Sequence, residues 1–567
     1  MMKTSAIEYL EKRIAPATFF VTTTSDSGAG SLRKAIADAN ATPAPDTILF
    51  KPTAFGTIVL GGTELDITTP MTIKGPGAGK VIISGNGASR VLNIAYTDPA
   101  ITTATTISGV ALINGDAENG GAIFSRESLT VVNSIISGST VSNDGGGIYV
   151  NTTGKFTMSG TTVTGNTAQG GGAGLYLEVN GGISITKSTI SGNSAVGSGG
   201  GLYLGANMGT NLAAKFIVKD STIVGNTAGN NGGGIFINPD GRDVTVINST
   251  ITGNTAGVNG GGINMTNGTL LLKSSTLSGN TADSGGGIFI TAPAGKTSTI
   301  TGTKLLNNAA TVTTGGGILF SGSADATSAL NVIKTTLAGN RATTDGGGIA
   351  AETGGKLNLT GDTLFSNSAI ARGGGVYTNG SAASAVPLTI TGSTLTDNTA
   401  LRGGGIFTGG DAPVTIAKSS LIANRATGNP GGGAYLRSNN PVTITSTLIS
   451  KNSATSSGGG LYVISNTINL TASTLTDNVA GGNGGGAYLT GGASTVTKTL
   501  IRNNYANSDG GGLTLIGAGS KLIKSVITGN ISKVGGGGIA AFSGVPTIDA
   551  ATKLFGNVAP MNPDKNF

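Results

Sequence analysis

The sequence predicts an all-β chain wound as a single parallel β-helix, and three regularities carry that prediction. First, a Gly-Gly-Gly triplet recurs with its first glycine at 145, 170, 199, 232, 260, 285, 315, 346, 373, 403, 431, 458, 484, 510 and 536, a mean interval of about 28 residues. Self-similarity at a period between 20 and 50 marks a solenoid or propeller. Second, the residue opening the segment after each triplet is apolar in every copy, from Ile148 to Ile539, and the residue two further on is apolar except at Thr378 and Thr408. Such alternation makes a strand with one buried face. Third, a motif such as Ser188-Thr189-Ile190-Ser191-Gly192-Asn193-Ser194-Ala195 precedes each triplet, with an apolar residue three before its Asn and, except at Ser532, Ala two after it. A further β-rich segment, such as Val244-Thr245-Val246 or Leu388-Thr389-Ile390, leads into that motif. The sum is a solenoid with three strands and three turns per coil. About 18 coils between Asp46 and Pro560, stacked at roughly 4.8 Å, give a rod on the order of 90 Å long.

Along the chain, residues 1–17 form an N-terminal sorting-like segment that reads as a short amphipathic helix. Ser5 and Glu8 make a capping box, Ile7 and Leu10 share a face, and Pro16 stops it. Residues 18–45 form an N-terminal cap with a short helix, whose stripe of Leu32, Ala35, Ile36 and Ala39 can cover the open edge of the first coil. Residues 46–118 are irregular first coils, residues 119–560 the regular helix with Gly120-Gly121-Ala122 as a degenerate first triplet, and residues 561–567 a C-terminal tail.

Composition excludes much chemistry. The 567 residues include 99 Gly but no Cys, His or Trp, and 11% are charged with a net charge of +7. Disulfides, thiolate nucleophiles, iron–sulfur clusters, Cys-based zinc sites, Ser-His-Asp triads and His-ligated metals are therefore absent. The 34 basic residues form no run dense enough to track phosphates, so no nucleic-acid partner is expected. No apolar stretch reaches 18 residues, so no membrane insertion is expected.

The Asn series 166, 193, 226, 254, 280, 308, 340, 367, 398, 424, 452, 478, 504, 530 and 557 reads as a structural ladder of stacked amides at an inward turn rather than an array of ligands. The glycines read as corner residues, where positive φ and backbone crowding admit little else.

The rhythm from Asn-Thr-Ala to Gly-Gly-Gly-Ile resembles the pectin-lyase-like right-handed β-helices of bacterial surface proteins, including the polymorphic outer-membrane protein repeats. Asp26-Ser27-Gly28-Ala29-Gly30-Ser31-Leu32-Arg33-Lys34-Ala35-Ile36 is similar to the SGxGSLRxAI opening of adhesin-like β-helix proteins, and Leu10-Glu11-Lys12-Arg13-Ile14-Ala15-Pro16-Ala17 to the LExRxxPA motif of planctomycete and verrucomicrobial surface proteins. The resemblance implies a right-handed coil and an extracellular or bacterial cell-surface location. The tail from Met561 to Phe567 departs from several relatives in having no barrel pattern, sorting motif or hydrophobic stretch.

Many β-helices cleave polysaccharides, with two or three carboxylates, or carboxylates beside Arg or Lys, on neighbouring coils of one face. Here Asp397 and Asp477 share one position but two coils separate them, and Asp144, Asp345 and Asp509 lie many coils apart. The paired Asp, Gly-His-Gly and Arg-Ile-Lys motifs of such enzymes are missing. The expectation is therefore a chain that is not an enzyme and needs no cofactor or metal. It would be a secreted or cell-surface rod in adhesion or surface structure. The alternatives are a self-assembling extracellular fibre or surface-layer subunit and a polysaccharide lyase or hydrolase. The expected partner is a cell-surface or extracellular glycan, or other copies of the chain end to end or side by side. An outward aromatic row, Phe124, Tyr149, Tyr176, Tyr203 and Phe236, then Tyr377, Phe407, Tyr435, Tyr462 and Tyr488, gives Tyr435, Tyr462 and Tyr488 as binding candidates, a platform for sugar faces. The longer coils at Gly205 to Lys215 and Ser321 to Leu330 are the competing surface.

Overall fold

The computed structural model describes residues 15–42, 44–98, 100–205, 214–238, 241–324, 327–380 and 385–566. The helix expected within residues 1–17 lies, as far as residue 14, outside them, as do residues 206–213 and 325–326 of the two longer coils. The chain opens with β1 (Thr18–Val21), α1 (Leu32–Asn40) and β2 (Asp46–Phe50). Ser31 caps α1, its Oγ accepting from the Lys34 amide at 3.2 Å. The predicted stripe of Leu32, Ala35, Ile36 and Ala39 is buried, and α1 packs on β1 and β2 at the end of the core.

Every strand pairing is parallel, each strand bonding to its counterpart one coil on. The coil from Ile148 shows the plan: Ile148–Thr152 and Phe156–Ser159 lie on one face, Thr162–Thr164 on a second and Thr167–Ala168 on a third. We call these faces sheets A, B and C. The two segments of sheet A fuse into single 11-residue strands at Leu461–Thr471 and Ala487–Thr497. A coil thus has three sheets but four strand segments, because the bend inside sheet A is too shallow to start a new face. Sheet B contains 19 strands from Gly56–Val59 to Lys553–Phe555, one more coil than the repeat count predicts. Inward rows such as Ile148, Leu175, Leu202 and Ile235 fill one continuous core. Thr378 and Thr408, the polar exceptions, point inward too and are 2% exposed.

In the ladder, each asparagine amide from Asn193 to Asn557 has all its hydrogen-bonding positions filled. Asn340 Nδ2 donates to Leu305 O at 3.0 Å and to Asn367 Oδ1 at 2.9 Å, while its Oδ1 accepts from the backbone N and the Nδ2 of Asn308, both at 3.0 Å. The same pattern runs from Asn193 to Asn557, where Nδ2 reaches Asp564 Oδ1 at 3.1 Å. The triplet beside it uses its glycines for different reasons. Gly145 has φ of 69°, and a Cβ on Gly146 or Gly147 would lie 2.5 Å from Ala173 O or 2.7 Å from Gly174 O on the next coil. In the following coil the aligned triplet is Gly172-Ala173-Gly174, not 170–172, since Gly172 carries the positive φ of 57°. Asp397 and Asp477, with φ of 54° and 60°, fill a left-handed turn position that is Gly165 or Gly192 elsewhere.

A second ladder of hydroxyls lies between sheets A and B. The Ser188 amide donates to Ser221 Oγ at 3.3 Å, and Ser188 Oγ donates to Thr186 O at 2.8 Å. Asp362 occupies one rung, 1% exposed, its carboxylate accepting from the amides of Thr335 and Thr360 at 2.8 and 2.7 Å. Burial outweighs those hydrogen bonds and pushes its carboxyl up to about 7. Coil length varies: successive ladder asparagines are 26 residues apart from 254 to 280 but 33 from 193 to 226 and 32 from 308 to 340.

Two outcomes follow from the ladders. Asn340→Asp removes both Nδ2 donors and sets a carboxylate against Leu305 O and Asn367 Oδ1. It should cost about 3 kcal/mol at neutral pH, and an unchanged melting temperature would refute the ladder. Asp362 binds a proton more tightly folded than unfolded, so its contribution to stability is greatest below the unfolded carboxyl range and is lost as pH rises through about 7. Asp362→Ser should therefore raise the melting temperature at pH 8 more than at pH 5, and an equal shift at both would show that the carboxyl is not the cause.

Candidate functional site

The first segment of sheet A turns one outward row along the rod. Stepping coil by coil, the register runs Asp66, Asn93, Phe124, Tyr149, Tyr176, Tyr203, Phe236, Asn264, Phe289, Leu319, Ala350, Tyr377, Phe407, Tyr435, Tyr462, Tyr488. Two ladders of five rings result. In the first, from Phe124, centroids lie 5.2, 5.1, 4.3 and 5.0 Å apart; in the second, from Tyr377, 5.6, 4.9, 5.2 and 4.7 Å. All pairs but Tyr203 and Phe236 are within 17° of parallel. The rings therefore spend their faces on one another, and what points outward is a row of edges and hydroxyls rather than a platform of ring faces.

The two ladders differ in cover. Tyr377, Phe407 and Tyr435 are 2%, 4% and 8% exposed, whereas the first ladder and Tyr462 and Tyr488 are half-buried. The residue five before each ring explains this. In the second ladder Arg372 and Arg402 stand there: Arg372 lies 4.9 Å from the Tyr377 ring and 5.4 Å from Phe407, and Arg402 lies 5.3 Å from Tyr435. In the first ladder, and before Tyr462 and Tyr488, the position holds short or absent side chains: Asn119, Asp144, Gly171, Ser198, Asn231, Ser457 and Asn483. Thus Tyr462 and Tyr488 offer edges to solvent, while Tyr435 lies under a guanidinium.

Polar groups flank the first ladder. Tyr176 Oη donates to Glu178 Oε1 at 3.1 Å and Asn151 Nδ2 to Glu178 Oε2 at 2.9 Å, with Arg126 one coil before Asn151. Asp144 Oδ1, on the other side, accepts from the Gly171 amide at 2.6 Å, and burial raises its carboxyl. At the N-terminal end a concavity of about 410 Å³ is lined by Arg90, Asn93, Glu118, Asn119, Phe124 and Arg126. The Arg90 guanidinium lies 5.0 Å from the Phe124 ring and is held by Glu64 and by Asn119 O.

Sequence reasoning missed one cluster altogether. Arg372 Nε and Nη2 bond Asp345 Oδ1 and Oδ2 at 2.9 and 2.8 Å, and Glu352 and Tyr377 lie close enough for their charges to couple. Burial raises the Glu352 carboxyl and pushes the Tyr377 hydroxyl up to about 12. The signal was available, since Asp345, Arg372 and Arg402 occupy one position on three successive coils. Among the described residues, no group of three or more acids is arranged to hold a metal ion, and no helix is long and apolar enough to cross a membrane.

Three parallel sheets wound around one apolar core, with an aromatic seam on one of them, define a parallel β-solenoid. The chain belongs to the family described as right handed beta helix region, whose model matches residues 100–270, 316–504 and 371–549. No curated protein matches it. Among solved structures it is similar to a mannuronic acid specific polysaccharide family 6 lyase enzyme from human gut microbiota. That likeness has 10% identity and a TM-score of 0.33, over 71% of this chain and 87% of that one. It is also similar to the PL6 family alginate lyase AlyGC, at 12% identity and a TM-score of 0.20, over 97% of this chain and 100% of that one. A third is the A-module of the Azotobacter vinelandii mannuronan C-5 epimerase AlgE6, at 12% identity and a TM-score of 0.17, over 94% and 98%. The expectation that the chain is not an enzyme is corrected here, because the solved structures it is similar to are lyases and an epimerase. Its reasoning also fails physically: it compared acids only with acids, whereas Asp345 has Arg372 at its own position on the next coil and Glu352 and Tyr377 nearby. At these identities the likeness itself is one of fold.

Burial raises the hydroxyls of Tyr149, Tyr176, Tyr462 and Tyr488 as well as that of Tyr377. These groups favour the folded, neutral form, so their contribution to stability is intact below pH 10 and is lost as pH climbs above it. In an absorbance titration the folded protein should show fewer of its 10 tyrosines ionised at pH 11 than the same chain does in denaturant. Full ionisation near pH 10 in the folded state would show the ladders to be open.

Proposed function

We propose that this chain is a secreted or cell-surface β-helical rod that serves adhesion or surface structure by holding a cell-surface or extracellular glycan along sheet A. One observation supports this above the others. Over consecutive coils the half-buried edges of Tyr149, Tyr176 and Tyr203 run beside Arg126, Asn151 and Glu178, so hydrogen-bonding groups recur at the coil spacing. Sugar hydroxyls donate and accept, and a tyrosine hydroxyl, an amide, a carboxylate and a guanidinium supply both partners. A repeating polymer laid along the rod meets a repeating row, whereas a small ligand would use one or two coils.

The second ladder contributes through Tyr462 and Tyr488, which are half-buried, with Tyr435 beneath them stacked 5.2 Å from Tyr462. Its rings act by edge and hydroxyl, so the expected contacts are hydrogen bonds and not the stacking of sugar faces.

Binding of extracellular polysaccharides to the full chain, measured by affinity electrophoresis, tests the reading. Tyr149→Ser with Tyr176→Ser should weaken binding about tenfold or more, and Tyr462→Ser with Tyr488→Ser by less, given loss of hot-spot contacts of about 1 to 3 kcal/mol. Adding Tyr435→Ser to the second pair should add little. If all these variants keep the parent's circular dichroism and its binding, sheet A is not the glycan surface.

A further inference from the structure

The outward row of sheet C changes character near the C-terminal end of the rod. Over twelve coils it is Thr140, Thr167, Ser194, Thr227, Thr255, Thr281, Ala309, Arg341, Ser368, Thr399, Arg425 and Ser453, small or hydrophilic throughout. The next four coils place Val479, Tyr505, Ile531 and Val558 at the same position, paired rung to rung. Val479, Ile531 and Val558 are 44%, 42% and 56% exposed, and Val534 and Met561 beside them 42% and 59%. A β-branched residue on an outward strand satisfies propensity as well as Thr does, so strand formation does not demand the exchange. Single exposed apolar residues such as Val258 and Val312 follow the sheet C strands of other coils, but an exposed apolar row continued over four successive coils marks a contact surface.

Charge selects the occupant. Arg502 and Lys533, within three residues of Tyr505 and Ile531, are exposed beside this stripe, with Lys533 Nζ 5.9 Å from the Tyr505 ring. Neither has an ion-pair partner among the described residues. Residues 479–566 carry seven basic and three acidic side chains, a net +4, against +7 for all 567. Two of those acids are turned to internal work: Asp549 accepts from Thr552 and the Lys524 amide, and Asp564 from Asn557. A second copy docked through the same stripe would bring like charges together. A surface with an apolar interior and an anionic rim suits both features, as when an apolar face enters the headgroup region of a bilayer while basic side chains meet its anionic lipids. We propose that this stripe rests on an anionic lipid surface, a peripheral contact separate from the glycan row on sheet A.

The full chain mixed with vesicles of phosphatidylcholine and phosphatidylglycerol tests this by co-sedimentation. It should pellet with mixed vesicles in low salt, fall about tenfold in high salt, and stay in the supernatant with phosphatidylcholine alone. Val479→Thr with Ile531→Thr and Val558→Ser restores the residue types of the other coils, so it should fold as the parent does and lose vesicle binding about tenfold. Arg502→Glu with Lys533→Glu should lose it as well, with its circular dichroism unchanged. Failure of the parent to pellet with either vesicle overturns the proposal, as does equal binding by the parent and the triple variant. A parent dimer in sedimentation equilibrium that the triple variant abolishes would assign the stripe to a second copy instead.

Discussion

A hydrogen-bonded asparagine amide at one corner of each regular coil sets the geometry on which the remaining features depend. Because Nδ2 donates both up the ladder and back to a strand carbonyl, as in Asn340 to Asn367 Oδ1 and Leu305 O, the corner is fixed in height and in angle together. The triplet can then pass so close to the next coil that a Cβ on Gly146 or Gly147 would lie 2.5 or 2.7 Å from a carbonyl oxygen there, and the strands on either side inherit one register. Amides aligned in a chain polarise one another, so the ladder strengthens as it lengthens. Asp564 meets the last donor with a carboxylate oxygen, which matches the charge that an array of aligned N–H groups exposes at that end.

Uniform register turns single residues into rows, and rows act differently from isolated side chains. The aromatic row buries its ring faces against itself and leaves edges to solvent. The hydroxyl row between sheets A and B tolerates Asp362 only by raising its affinity for a proton. The row five before each ring decides how open a ladder is, since Arg372 and Arg402 cover their rings while Asp144 or Ser198 cannot.

Most of the fold was legible because its rules are local and repeated. The apolar alternation after each triplet, the Asn series and the stripe of α1 each follow from one coil read alone, and Leu32, Ala35, Ile36 and Ala39 are buried as that reading requires. What escaped depends on offsets between rows. Nothing in the stretch around Gly170 shows that the left-handed turn falls at Gly172 with Ala173 inside it, since an alanine in a glycine run reads as an interruption and not as a shift. The site was less legible still. The aromatic positions were evident, but their ring faces stack along the rod axis, which follows from strand spacing and rotamer together, and Asp345 meets Arg372 only because the coil between them closes at the right height.

The spread in coil length has a further consequence. From the hydroxyl rung to the asparagine the count is five residues in coil after coil, Ser188 to Asn193 and Ser393 to Asn398 alike, so the steps of 26 to 33 residues owe their difference to the rest of the coil, above all to the bend within sheet A. The strands Leu202–Gly205 and Phe216–Lys219, and likewise Ile318–Ser321 and Ala329–Ile333, are widely separated in sequence across that bend. Insertions and deletions therefore have one main seam along which they can accumulate without disturbing any ladder, while the turn from asparagine to triplet varies only between five residues, as Asn280 to Gly285, and seven, as Asn308 to Gly315. Descendants of this sequence can diversify a single edge of the rod, adjoining the face that carries the rings, while the corner between hydroxyl rung and asparagine stays locked to one length, much as a book can gain tabs on its fore-edge without loosening its spine.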